Sequence, residues 1–183
     1  MSLKYINVLN EINKTLESSD FDDLGNFIDK ILSAKKIVLF GAGRVGLIMK
    51  TFAMRLNHLG LDSYFLGEIN LPATGLGDLM IIGSGSGNTK SVVMIAQIAQ
   101  SKDLDVISVT SNINSLIASL SSSLIHLNCQ TKETLRVPRY SIQPMTTLFE
   151  QSLLIFLDSL VLELMEKLIE NNDSMSRRHN VIE

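Results

Sequence analysis

The chain has 183 residues, of which 45% are hydrophobic and 5% aromatic, with no Trp, so a core of useful size must be built from aliphatic side chains and Met. A net charge of −3, a pI of about 5.6 and Lys and Arg that are scattered along the chain argue against a nucleic-acid surface. The apolar runs are too short or too charged to span a bilayer, no leader pattern opens the chain, and the single Cys129 excludes an internal disulfide or a cysteine metal cluster; a reduced, cytoplasmic setting with no membrane partner is the expectation.

In chain order, apolar residues at helical spacing in residues 4–33 (Ile6, Leu9, Ile12 and Leu16, then Leu24, Phe27, Ile28 and Ile31) predict two helices with a break at 18–22. Short apolar strands are predicted at 37–40, 63–66, 79–82, 106–110 and 124–127, and helical segments at 45–59, 89–100 and 113–119. Continuous apolar strands alternating with amphipathic helices mean a parallel sheet covered on both faces. The fold class expected is therefore α/β, a doubly wound five-stranded parallel sheet of flavodoxin-like order. After an irregular stretch at 128–143, Pro144 suits the first turn of a long helix at 145–169, and a polar stretch at 170–178 leads into the tail. One domain over 1–183 is expected: a helical segment (1–33), a sheet core (34–130) and a C-terminal helix and tail (144–183).

Two glycine-rich turns carry the chemistry. KIVLF runs into Gly41-Ala-Gly-Arg44-Val-Gly46, and LMII runs into Gly83-Ser84-Gly85-Ser86-Gly87-Asn88-Thr89. A strand that ends in glycines and restarts as a helix directs free N–H groups and the positive helix end at one point, which suits a phosphate. The first turn also matches the G-x-G-x-x-G dinucleotide pattern, with Glu68 near the position of a ribose-binding acid. A second phosphate-type loop and the lack of a distinct catalytic domain speak against that reading. Arg44 in a ligand turn suits phosphate or sugar oxygens. The second loop lacks the Gly-Lys-Ser/Thr ending of a Walker loop; as a plain turn it would use Thr89 as a helix N-cap, but three hydroxyls and two glycines in six positions favour an oxyanion cradle.

Glu150 shares the stripe of Leu153 and Leu154 on the last helix, and an acid desolvated there would be raised toward the range of a general base. His126 lies in a strand pattern and reads as structural or surface. His58 ends the first crossover helix, where it suits the helix C-terminus or reaches a site from a neighbouring chain, and His179 lies in a polar tail. No His-x-x-x-His or carboxylate cluster has metal-ligand spacing, so no metal is expected.

The segments GAGRVGLIMKTFAMRLNHLG (41–60), GSGSGNTKSVV (83–93), SIQPMTTLFEQSLLIFLD (141–158) and RRHNVIE (177–183) together resemble the sugar isomerase (SIS) family, over nearly the whole chain. The resemblance is strongest to the branch that converts 3-hexulose 6-phosphate into fructose 6-phosphate. It implies an isomerase without a cofactor, with Glu150 as catalytic base and the loop Ser84, Gly85, Ser86, Gly87, Asn88 and Thr89 on the 6-phosphate. Arg44 would contact the substrate and His58 would take part from a neighbouring subunit. It also implies a homotetramer built from dimers, in which His179 and Glu183 of the tail reach across an interface. Family members commonly carry serine where this chain has Val45. Isomerisation of arabinose 5-phosphate or sedoheptulose 7-phosphate, or phosphosugar binding without reaction, are the alternatives; the first thirty-odd residues are too few and too acidic for the DNA-binding module that sensors of this fold carry.

Overall fold

A computed structural model describes residues 3–130, 141–180 and 182. Helices α1 (Tyr5–Glu17) and α2 (Leu24–Ser33) precede a sheet of β1 (Ile37–Gly41), β2 (Ser63–Phe65), β3 (Leu79–Ser84), β4 (Asp105–Thr110) and β5 (Ser123–His126). The crossovers hold α3 (Arg44–His58), α4 (Lys90–Ser101) and α5 (Leu116–Leu120), and α6 (Thr147–Leu168) and α7 (Asn172–Arg177) close the chain. All four strand pairings are parallel, in the order β2-β1-β3-β4-β5, which is the expected doubly wound arrangement.

The strands alternate between two apolar layers, as the two-residue period of a pleated strand requires. Ile37, Leu39, Leu79, Ile81, Ile107 and Val109 face α2, α3 and α6, through Phe27, Ile31, Met49, Phe52, Phe149, Leu153 and Leu157. Val38, Met80, Ile82 and Val106 face α4 and α5, through Val92, Ala96, Ala99 and Ile117. Both faces are covered, which explains why the strands read as unbroken apolar runs.

The order reverses between β1 and β3. The chain steps from β1 outward to β2 and then returns to the opposite side of β1, so the two loops diverge from neighbouring strands and leave a crevice at their C-terminal ends. Gly41 stands opposite Gly83 in the register, and both strands end in the glycine turns singled out in the sequence. The first helical turn of α3 approaches β1 so closely that a Cβ on Gly46 would lie 2.5 Å from Gly41 O.

Two elements differ from the sequence reading. Pro144 does not begin the long helix: Met145 takes the left-handed region (φ +53°), Thr146 is the N-cap, and α6 starts at Thr147. The polar stretch after α6 contains a short helix, α7, held by a reciprocal cap in which Asn171 Oδ1 accepts from Ser174 N and Ser174 Oγ accepts from Asn171 N. The cap pattern is local and polar, so apolar periodicity gave no sign of it.

Gly46→Ala gains helix propensity but pushes a methyl group into a backbone carbonyl that cannot move without displacing β1. A net loss of about 1–3 kcal/mol is expected for such overpacking, visible as a drop of several degrees in Tm. An unchanged Tm would show that α3 can retreat from the strand.

Candidate functional site

The crevice beyond β1 and β3 holds a cavity of about 430 Å³, walled by residues 42–45, residues 83–86, Thr89, residues 144–147, Phe149 and Glu150. Three distant stretches of chain therefore meet there: the two glycine turns and the start of α6.

The acid comes from α6. Glu150 is buried, with 9% of its side chain exposed, whereas its ion-pair partner Arg44 is 62% exposed. Arg44 Nη1 lies 3.0 Å from Glu150 Oε2, close enough for an ion pair but outside hydrogen-bond alignment, so Oε2 has no hydrogen bond among the described residues. The same Nη1 donates to Thr147 Oγ1 at 3.3 Å. The other carboxylate oxygen, Oε1, accepts from Thr146 Oγ1 at 2.9 Å. One oxygen is thus pinned, and the other faces a cation on a long tether.

Beyond the acid, the β3–α4 loop presents hydroxyls. Ser84 Oγ accepts from Gly87 N at 3.2 Å and Ser86 Oγ accepts from Asn88 N at 3.3 Å. A hydroxyl that accepts still has its own proton to donate. Thr89 stands at the N-cap position of α4 with no side-chain cap bond; its Oγ1 lies 3.5 Å from Ser86 Oγ, at the outer limit of a hydrogen bond. Its hydroxyl is therefore not spent on the helix, as the plain-turn reading required. Together with the first-turn amides of α4, these donors suit an anion.

Gly87 and Asn88 shape the loop from behind. Gly87 has φ +66°, and a Cβ there would fall 2.0 Å from Ser115 Oγ. Asn88 Oδ1 accepts from Leu116 N at 3.0 Å, tying the loop to α5. Gly85 lies against the Phe149 ring, to which an added Cβ would come within 3.1 Å, so loop and α6 are in contact.

A family model of the SIS domain matches residues 30–155, which span the sheet, both loops and the start of α6. The chain belongs to the SIS domain family. It is 39% identical over 176 residues to a Bacillus subtilis protein named 3-hexulose-6-phosphate isomerase, covering 96% of this chain and 95% of that one. A Methanocaldococcus jannaschii protein of the same name is 37% identical over 156 residues, covering 85% and 82%. Among solved structures, a Methanococcus jannaschii protein for which a 3-hexulose-6-phosphate isomerase function was inferred superimposes with a TM-score of 0.82 at 36% identity, covering 98% of this chain and 99% of that one.

Within this SIS domain, Arg44, Ser84, Gly85, Ser86, Thr89 and Glu150 line one cavity. His58 does not join them in the same chain. It sits at the far end of α3, a 15-residue helix, about 20 Å from Arg44. There it faces His179, with ring centroids 5.2 Å apart, beside Arg55 and Met175 in a separate cavity of about 350 Å³. Glu183 lies outside the described residues. Glu68 turns its carboxylate back onto Phe65 N at 3.3 Å, a local turn contact, in place of the ribose contact a dinucleotide site needs.

Sequence reasoning missed Thr146, Thr147 and Phe149. Thr146 and Thr147 precede Glu150 by four and three residues, the spacing at which side chains meet on a helix, and that spacing was the available signal. Val45 packs its Cγ1 close to both glycines, since a Cβ on Gly41 or Gly83 would fall 2.9 or 3.0 Å from it. A serine hydroxyl would therefore stand between the two strand ends.

Burial, then the positive charges of Arg55 and His179, hold the His58 imidazole below its ordinary value of 6.5. The unfolded chain then binds the proton more readily than the folded one, so stability is full above about pH 6.5 and falls as pH drops through the lowered value. His58→Gln is expected to flatten Tm against pH between 5 and 7. A profile identical to that of the parent would mean the imidazole is not desolvated.

Proposed function

We propose that this chain is a sugar-phosphate isomerase that interconverts 3-hexulose 6-phosphate and fructose 6-phosphate. The observation that carries the proposal is the meeting, in one crevice, of a hydroxyl-rich helix-terminal loop with a buried carboxylate, Glu150, and an exposed guanidinium, Arg44. The names of the full-length relatives supply the sugar.

The phosphate is the handle. Held by Ser84, Ser86, Thr89 and the α4 amides, it fixes the sugar chain in the crevice, so that binding energy far from the reacting carbons becomes positioning. Glu150 takes the proton from C2, adjacent to the C3 carbonyl. The electron pair of that C–H bond forms the C2–C3 double bond of an enediolate, and the carbonyl electrons move onto O3. Transfer of the O2 proton to O3 and return of the proton from Glu150 to C3 leave the carbonyl at C2. Glu150 reaches both carbons from one face, and Arg44 neutralises the charge that builds on oxygen. Thr146 fixes Oε1, leaving Oε2 as the atom that faces the substrate.

A tetramer built from dimers completes the proposal. His58 and His179 stand too far from Arg44 to serve their own cavity, which supports a role at a neighbour's, together with Glu183.

Glu150→Gln keeps the shape and the bond from Thr146, so fold and ligand affinity are retained while kcat falls by about 10²–10⁴. Fructose 6-phosphate formation assayed by stopped time course checks this, and near-normal turnover removes Glu150 from the chemistry. The same assay with arabinose 5-phosphate and sedoheptulose 7-phosphate is expected to give far lower kcat/KM; a higher value with either would reassign the sugar.

Mixing Glu150→Gln with His58→Ala protomers, each inactive alone, is expected to restore part of the activity if sites are shared between chains. No recovery on exchange of subunits would confine the histidine to its own chain.

A further inference from the structure

The segment that leads into the site, residues 141–146, makes no regular secondary structure before α6 begins at Thr147. It nevertheless carries Pro144, Met145, Thr146 and Thr147 into the cavity wall. Its anchor is a single carboxylate 130 residues away in sequence. Glu11, on α1, accepts from Ser141 Oγ at 2.8 Å and Gln143 Nε2 at 3.0 Å through Oε2, and from Ile142 N at 2.8 Å through Oε1. Gln143 is buried and its N–H donates back to Ser141 Oγ at 3.1 Å, so the three residues are knitted together as well as to Glu11.

The residues immediately beyond are the ones that hold the acid. Met145 in the left-handed region reverses the chain, Thr146 Oγ1 donates to Glu150 Oε1, and Thr147 Oγ1 accepts from Arg44. An unbroken covalent and hydrogen-bonded path therefore runs from α1 to the carboxylate, through a stretch that no strand or helix restrains.

We propose that Glu11 is a positioning residue for the isomerisation: by clamping residues 141–143 it sets the orientation of Glu150 through Thr146. The proposal rests on the reading of Glu150 as the base. Only an ionised carboxylate matches the clamp, because all three partners are donors and both carboxylate oxygens accept. Burial alone would raise the Glu11 carboxyl, but the bonds from Ile142, Gln143 and Ser141 and the nearby Lys14 charge outweigh it and hold it below its ordinary value, as a carboxylate fixed in its ionised form requires. The phosphate loop, by contrast, comes from β3 and α4, and its hydrogen bonds among the described residues include those within the loop and those to Thr110, Asn112 and Leu116.

Glu11→Gln is the sharp variant, since it keeps size and helix propensity but sets an N–H₂ group against a donor. The expected result is a fall in kcat of about 10–100-fold with KM for the sugar phosphate within about twofold, the pattern of misplacement at the reacting carbons with the phosphate handle intact. Asn13→Ala, on the same helix and with its side chain bonded to Glu17 among the described residues, serves as the control and is expected to match the parent. Thr146→Val is combined with Glu11→Gln in a double-mutant cycle: if Glu11 acts through Thr146, the second substitution adds less to the loss than it does alone. Full additivity, or a kcat for Glu11→Gln equal to that of the parent, overturns the proposal. Should Glu11→Gln fail to fold, Ser141→Ala removes one donor from the opposite side and is expected to lower kcat about threefold at unchanged KM, in line with the loss of one modest hydrogen bond; no change there overturns it equally. If the parent protein fails to form fructose 6-phosphate at all, the isomerase reading falls; if the parent turns over normally and the clamp variants do too, only the clamp falls.

Discussion

The site exists because two parallel strands end side by side at the one place where the sheet changes direction. At that point the backbone has to leave each strand, turn, and start a helix without a side chain obstructing its neighbour. Gly41 and Gly83 stand opposite one another, Gly46 lets α3 close onto the carbonyl of Gly41, and Gly85 lets the second loop rest on Phe149. A Cβ at Gly41, Gly46 or Gly83 would fall within 3.0 Å of a neighbour and one at Gly85 within 3.1 Å of the Phe149 ring, so bulk at any of these positions would force the packing to shift. The crevice is thus a product of missing Cβ atoms, and the polar groups around it take up positions that this clearance sets.

What the crevice lacks, α6 supplies. Arg44 and Thr147 are 103 residues apart, and their contact forms only once the last long helix has packed across α3 and the sheet. The phosphate-type loop is local, made by consecutive residues, whereas the carboxylate and its holders are assembled from both ends of the chain. The loop hydroxyls and the buried carboxylate accordingly come from separate pieces of structure, brought together at the strand ends where sites lie in open α/β sheets.

Much of this was legible in the residues. Alternating apolar strands and amphipathic helices gave the sheet and its order, since a parallel sheet buried on both faces leaves that trace. The glycine turns gave the crevice, and Glu150 was visible as an acid among leucines. The contacts that orient it were not legible. Thr146 and Thr147 are unremarkable residues whose importance comes from a helix that begins at Thr147 and not at Pro144, and that start is set by Met145 in a left-handed conformation which no propensity favours. Glu11 lay hidden for another reason: on α1 it reads as one more solvated charge, and only the tertiary path of residues 141–143 reveals its partners. His58 and His179 were read as neighbours of some site, but their ring-to-ring contact depends on α7, whose polar cap left no periodic signal.

The two charges in the crevice are unequally exposed. The acid is buried while the guanidinium lies mostly in solvent, so a desolvated carboxylate is paired with a charge that stays largely hydrated. Dissolved salt can therefore screen the pair from the arginine side while the carboxylate keeps its desolvated surroundings.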